Sequence, residues 1–174
     1  MKLVPLPLNG AYLVQPQPVN DARGHFTRYF DQEVFARHGL VHQFAQAATS
    51  LSHTRGTVRG LHYQRAPHAE VKLVRCARGS MYDVIVDLRQ DSPTYLQHHA
   101  QRLSAEMPAL IYVPAGFAHG YMTLTENCEV EYHISVPYRG DHQDGVRWND
   151  PKLGIVWPEA MTVINARDAA FALL

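Results

Sequence analysis

EVKLVRCARGSMYDVIVDLR, residues 70–89, reads as two β-strands separated by a turn. Apolar residues, many of them β-branched, recur in 70–77 and again in 80–89, and Arg78-Gly79-Ser80 breaks the run with a turn-forming glycine. Side chains on a strand alternate between its two faces. On that period Lys72 shares a face with Val74 and Cys76, and Asp83 shares a face with Met81, Ile85 and Asp87. A lysine and an aspartate thus fall on otherwise apolar faces. Burying either is costly unless it is paired, so the expectation is an inward Lys72–Asp83 ion pair.

The same pattern extends in both directions. FTRYF (26–30), TVRGLHYQ (57–64), HHAQRLS (98–104), ALIYVP (109–114), GYMTLT (120–125) and CEVEYHISV (128–136) are further candidate strands. QDSP, PAGFAHG and TEN supply turns between them. In 128–136, Tyr132 shares its face with Val130, Ile134 and Val136, which points it inward. Helical signals are few. Asp31 can cap a short helix that stops at Gly39, and a second short helix can start near Asn165 and run through ARDAAFALL. Many short strands at close spacing predict an all-β sandwich or barrel with a few short flanking helices. No repeat or linker divides the chain, so residues 1–174 are read as a single domain, with the turn-rich DGVRWNDPKLGIVWPEA wrapping the barrel.

Bulk properties exclude several function classes. The formal net charge is zero, so no whole-molecule field draws nucleic acid or an anionic membrane. Any anionic ligand must be held by a local cluster of cations. Eleven histidines raise the prospect of acid–base or metal chemistry. Cys76 and Cys128 form neither a CxxC motif nor a disulfide framework, and the Pro-rich N-terminus lacks the apolar run of a signal peptide. With no apolar stretch near membrane-span length, the expected location is the cytoplasm.

RGLHYQ (59–64) is the most informative hexapeptide, and it does not stand alone. DARGHF (21–26) precedes it, and VKLVRCARGSMYDVIVDLRQDSPTY (71–95), PAGFAHGY (114–121), EYH (131–133) and GVRWNDPKLGIVWP (145–158) follow it in order. In sequence and spacing this set resembles the dTDP-4-dehydrorhamnose 3,5-epimerases over residues 10–170. The resemblance implies a cupin-type jelly-roll β-barrel, a homodimer, no metal and no organic cofactor, acting on a nucleoside-diphosphate 4-keto-6-deoxy sugar. It implies that His62 is the base, Tyr132 the acid, Lys72 the group that stabilises the enolate, and Asp168 the carboxylate that orients the base. It places Arg23, Arg59 and His119 at the phosphates, Gln46 at a nucleotide-sugar contact, Tyr138 stacked on the pyrimidine, and Arg167 as a basic binding residue.

These residue types suit the chemistry. Hydrogens at C3 and C5 of a 4-keto sugar flank the carbonyl and are acidic. Removing one leaves an enolate, and returning a proton to the other face inverts the centre. Imidazole is a suitable base near neutral pH. An ammonium suits the developing oxyanion. A preorganised phenol can protonate the opposite face. No hydride moves, and no glycine-rich dinucleotide fingerprint is present.

Each residue also has a plainer reading. His62 can be an interior histidine and Tyr132 an inward aromatic; His119 can brace a turn, and Arg23 and Tyr138 can be solvated. Asp168 can simply complement a helix N-terminus. Arg59 and His62 have opposite strand parity and share a cavity only if Gly60 allows a bulge. Four positions depart from the family pattern. Arg28 stands for a glutamate, Ala48 for an asparagine after Gln46, and Gly140 and Gln143 for a proline and a glutamate. Because Arg only donates hydrogen bonds whereas a carboxylate only accepts, these departures predict altered reading of the nucleotide, such as CDP, or epimerisation at one carbon only. Arg28 and Gln143 therefore join the candidate binding residues. Two other function classes compete. A metal-dependent cupin oxygenase would draw on His62, Glu70 and His119, but Gln64 stands where a second histidine of HxH is needed. A non-catalytic sugar-nucleotide binder would need neither a base nor an opposing acid.

Overall fold

The computed structural model describes all 174 residues. Its strands are β1 (Lys2–Pro5), β2 (Tyr12–Gln15), β3 (Val19–Asp21), β4 (Gly24–Phe26), β5 (Gln46–Ser52), β6 (Val58–Gln64), β7 (Lys72–Arg78), β8 (Ser80–Asp87), β9 (His98–Ser104), β10 (Leu110–Val113), β11 (Phe117–Thr123), β12 (Cys128–Ile134) and β13 (Gln143–Gly145). Two helices, α1 (Gln32–Arg37) and α2 (Ala166–Ala169), complete it. A six-stranded sheet in the order β1-β2-β10-β7-β12-β5 faces a five-stranded sheet in the order β13-β6-β11-β8-β9, and β3–β4 is a separate hairpin. Every strand pairing is antiparallel. This is the expected all-β jelly-roll architecture.

The 70–89 segment is where the two sheets are tied together. β7 and β8 do not pair with each other; Gly79, at φ +76°, turns the chain from one sheet into the other. A Cβ there would lie 2.2 Å from Thr125 Oγ1. The inward faces of both strands then meet. Val74, Cys76, Met81 and Ile85 pack with Ile111, Phe117, Tyr121, Cys128 and Val130 between the sheets. The outward faces are buried too, which explains the nearly continuous apolar runs. Leu73 and Leu110 lie with Phe35 of α1 in a cluster that the half-buried Tyr29 and Phe30 flank, while Val84, Val86 and Ala118 lie under Val146 and Leu153. Truncating a wholly buried residue such as Ile85 to alanine costs about 2–5 kcal/mol.

Helix α1 follows the capping argument. Asp31 Oδ1 accepts from the N–H groups of Glu33 and Val34, and Gly39, at φ +67°, follows the helix end. Several sequence expectations are corrected. FTRYF is strand only at Phe26; residues 27–30 have no ladder partner. Their aromatic character serves packing instead: Phe30 meets Phe35 and Phe44 edge-on at 5.1 and 5.2 Å, and Arg75 lies 4.0 Å over the Tyr29 ring. PAGFAHG is a turn only through Gly116, since Phe117–His119 already belong to β11. The second helix is a single turn capped by Asn165. Beyond it the tail is tied down by side chains, with Arg147 Nε donating to the Phe171 carbonyl and the Leu174 N–H donating to Asp150.

Candidate active site

One end of the barrel opens into a cavity of about 220 Å³. Strands β6 and β11 of one sheet and β5, β7 and β12 of the other supply most of its wall, including Arg59, His62, Lys72, His119 and Tyr132; Asp168 comes from α2. The parity problem of Arg59 and His62 is resolved at glycine. Gly60 sits at φ +115°, where a Cβ would fall 2.7 Å from Gly120 Cα, and a Cβ on Gly120 would fall 2.6 Å from the Arg59 carbonyl. With no side chain at either position the two strands approach closely. The register slips between His119 and Tyr121, which pair with His62 and Arg59 respectively. Residues three apart on β6 thereby line the same cavity.

His62 is held from behind. Its Nε2 lies 2.7 Å from Asp168 Oδ1, while Asp168 Oδ2 accepts the Gly60 N–H at 2.9 Å. The Asp168 N–H is in turn bound to Asn165 Oδ1 at 2.7 Å. Asp168 is wholly buried. Burial pushes its carboxyl up, but the bonds from His62 and the Gly60 N–H outweigh it and hold the group below its ordinary range. An ionised carboxylate can only accept, so Nε2 carries the hydrogen, and in the neutral ring the lone pair falls on Nδ1, which has no protein partner. That is the tautomer a general base requires.

Lys72 is buried, and its partner is not the one expected. Its ammonium lies 2.9 Å from Glu70 and donates to the His62 carbonyl at 3.3 Å. Asp83 is instead spent on His119, Oδ2 to Nε2 at 2.7 Å. The reason is strand position: Glu70 flanks the start of β7 and lines the same cavity, while Asp83 on β8 lies beside β11 in the opposite sheet. An ammonium has three donors. The His62 carbonyl takes one of those of Lys72, and Glu70 lies against the group as an ion pair, so donor capacity remains.

Tyr132 stands on β12, in the sheet facing the one that carries His62. Its phenol reaches Ser50 Oγ at 3.4 Å, and burial pushes it well above the ordinary tyrosine range. Arg59 donates from Nε to Ser52 Oγ and from Nη2 to the Leu51 carbonyl, each at 3.0 Å, so β5 fixes the guanidinium. At the rim Tyr138 is exposed. Its N–H donates to Gln46 Oε1 and its hydroxyl to Gln143 Oε1, both at 2.7 Å, and Arg167 donates to the same Gln143 oxygen at 2.7 Å.

Two candidates lie elsewhere in the single chain. Arg23 is at the tip of the β3–β4 hairpin, paired with Asp21, its side chain 90% exposed. Arg28 pairs with Asp31 at 3.1 Å and lines other surface clefts. Sequence reasoning passed over Ser50 and the Glu70–Lys72 contact. The second was legible, because residues two apart share a strand face; Ser50 lies on an edge strand with no apolar signal. The donors of a metal-dependent reading line one cavity but do not form a ligand set. His62, His119 and Glu70 are each engaged by a separate partner, and Gln64 is bonded to backbone groups of His68 and Arg139.

The family model described as dTDP-4-dehydrorhamnose 3,5-epimerase matches residues 5–174. A dTDP-4-dehydrorhamnose 3,5-epimerase of Sinorhizobium fredii is 43% identical over 159 residues, covering 91% of this chain and 82% of the relative. The crystal structure of the dTDP-4-dehydrorhamnose 3,5-epimerase of Bacillus anthracis with TDP and PPi bound superposes with a TM-score of 0.96 at 40% identity, covering 99% of each chain. A 3'-monoepimerase from Streptomyces bikiniensis in complex with dTDP-quinovose superposes with a TM-score of 0.91 at 32% identity, over 98% of this chain and 86% of that one.

Proposed function

The chain belongs to the dTDP-4-dehydrorhamnose 3,5-epimerase family, and we propose that its cavity inverts C3 and C5 of a dTDP-4-dehydro-6-deoxyhexose by proton transfer alone. It is a nucleotide-sugar epimerase. The observation that carries the assignment of roles is the Asp168–His62 bond at 2.7 Å, which puts the lone pair of the neutral imidazole on Nδ1. Nδ1 takes the proton beside the carbonyl, and the C–H electron pair moves onto the C4 oxygen. The remaining Lys72 donor meets that oxyanion. Tyr132, on the facing sheet, returns a proton to the opposite side of the carbon, and the carbonyl re-forms. Arg59 and His119 suit the diphosphate, and Tyr138, with Gln46, Gln143 and Arg167 around it, suits the pyrimidine.

Exchange in D₂O with dTDP-4-dehydro-6-deoxyglucose tests the roles, and the number of deuterons incorporated tells one inverted carbon from two. His62→Ala loses exchange at every carbon. Tyr132→Phe keeps wash-in with retention and loses inversion, because the base alone forms the enolate. Equal loss of exchange in both variants contradicts the assignment; pre-steady-state rates are needed, since net turnover vanishes in either case.

The working unit in this reading is a homodimer. The β3–β4 hairpin pairs with neither sheet, and its cross-strand pair Val19 and Phe26 is 68% and 66% exposed. A second subunit would cover that pair and bring Arg23 to the neighbouring cavity. A fully active monomer in sedimentation at micromolar concentration would refute this.

A further inference from the structure

Three hydroxyl groups from three strands meet beside the cavity. Ser50 Oγ of β5 is held at 2.7 Å by the phenol of Tyr121 on β11, and it lies 3.4 Å from the phenol of Tyr132 on β12. Tyr121 crosses from one sheet to the other to make its contact, and it is 1% exposed. A hydroxyl donates one hydrogen and accepts others. If Tyr121 donates to Ser50, the Ser50 hydrogen is free to point at Tyr132. That polarity suits a phenolate at Tyr132 and no other member of the chain.

Tyr132 needs such help. Burial pushes its phenol well above the ordinary range, and the Ser50 hydrogen bond acts against that push. Lys72 and Arg59 line the same cavity but are engaged by Glu70, His62, Ser52 and Leu51. Tyr121 and Asp83 both oppose phenolate formation, and the His119 ring, 6.2 Å away, is committed through Nε2 to Asp83.

We propose that Ser50 and Tyr121 are positioning residues for the acid step: Tyr121 orients Ser50 so that Ser50 Oγ–H meets the phenolic oxygen of Tyr132 as its proton leaves. In that step the Tyr132 O–H bond breaks and a C–H bond forms at the enolate carbon. The enolate electron pair enters the new bond, the C4 carbonyl re-forms, and the phenolate left behind accepts from Ser50. No co-reactant is required. The inference rests on Tyr132 being the acid.

The test is Tyr121→Phe, which removes only the buried hydroxyl, with Ser50→Ala as a second variant and Tyr132→Phe as the control. In D₂O, wash-in with retention reports the His62 step and inversion reports the acid step. Tyr121→Phe is expected to keep wash-in and KM while inversion slows by up to about tenfold, the scale of one lost hydrogen bond between neutral groups. Ser50→Ala is expected to lose at least as much inversion. It should also move the alkaline limb of its kcat profile to higher pH, since the bond that eases phenolate formation is gone. Wild-type inversion in both variants overturns the inference, as does a parallel fall in wash-in and inversion. If Tyr132→Phe itself inverts normally, the acid is another group and the parent reading falls. If Tyr132→Phe loses inversion while Tyr121→Phe and Ser50→Ala keep it, only the positioning claim falls.

Discussion

Asp87 and Asp168 are both wholly buried carboxylates in the same barrel, yet their surroundings differ in kind. Asp87 ends β8 and is saturated by neighbours. Its oxygens accept from the Arg89 backbone N–H, from Arg89 Nε and Nη2, and from the hydroxyls of Ser92 and Thr94. All of these donors lie within seven residues, and none lines the cavity. Asp168 accepts from one backbone N–H and from a histidine whose side chain is 26% exposed and whose second nitrogen has no protein partner. The saturated carboxylate closes a loop. The one that passes its charge to a half-open partner sets up chemistry. Leftover hydrogen-bonding capacity aimed at a cavity, more than burial or charge, separates the two.

The sharpest way to break the comparison is to make each residue an asparagine. At position 168 two donors, Gly60 N–H and His62 Nε2–H, require acceptors, and an asparagine side chain offers one oxygen and one NH₂. If the oxygen stays with Gly60, the NH₂ faces Nε2 and drives the hydrogen onto Nδ1, which removes the base. Asp168→Asn is therefore expected to lower kcat by about 10²–10⁴, the scale of losing a general base through the wrong tautomer. Its melting temperature should change little by comparison. Activity within tenfold of wild type would show that Asp168 only caps α2.

At position 87 the expectation reverses, with stability lost and kcat at 25 °C unchanged. Burial pushes the Asp87 carboxyl up, yet the bonds from Arg89, Ser92 and Thr94 bring it down to about 2 from 3.8. A carboxylate depressed by folding stabilises the native state above its unfolded value and loses that contribution as pH falls through the folded value. The window here is thus pH 4 down to about 2. The contribution is up to about 2 kcal/mol before solvent screening of the partly exposed Arg89 is counted. In urea unfolding the gap between wild type and Asp87→Asn should narrow from pH 7 to pH 3, to roughly half if charge alone sets it. A constant gap would mean that the knot acts through shape, not charge.

The same distinction explains what the sequence made legible. Inward Lys72, Asp83 and Tyr132 followed from strand parity, because both faces of β7 and β8 are packed and a slip of one residue would exchange them. The Lys72–Asp83 pairing was wrong because parity reports a face and not a partner, and the true partners lie on either side of the sheet boundary. β5 was invisible: QAATSLS is an edge strand with one large apolar residue, so no alternation betrays it. Ser50 was missed with it. FTRYF misled in the other direction, since alternating aromatics can pack on a sheet without joining one.

Gln143 carries the comparison to the rim of the cavity, where the expected effect is smallest. As a replacement for a carboxylate it suggested altered nucleotide choice, together with Arg28 and Ala48. The contacts in the single chain bear on two of those three positions. Arg28 pairs with Asp31 and does not line the cavity of its own chain. Gln143 Oε1 accepts from Tyr138 and from Arg167, each at 2.7 Å, and a carboxylate would accept the same two bonds. Its acceptor role is filled as completely as that of Asp87, with an amide in place of a charge. Gln143→Glu would strengthen the Arg167 contact and add one charge near the pyrimidine end, a change worth about 1 kcal/mol or less at an exposed pair. The kcat/KM ratio for dTDP- over UDP-linked 4-keto-6-deoxyglucose is therefore expected to move by less than about fivefold. Ala48, which shares its strand face with Gln46 and Ser50, is a further departure, beside Gly140, that these contacts do not address. A tenfold or larger shift in Gln143→Glu would show that net charge, not the filling of its hydrogen bonds, sets what this residue does.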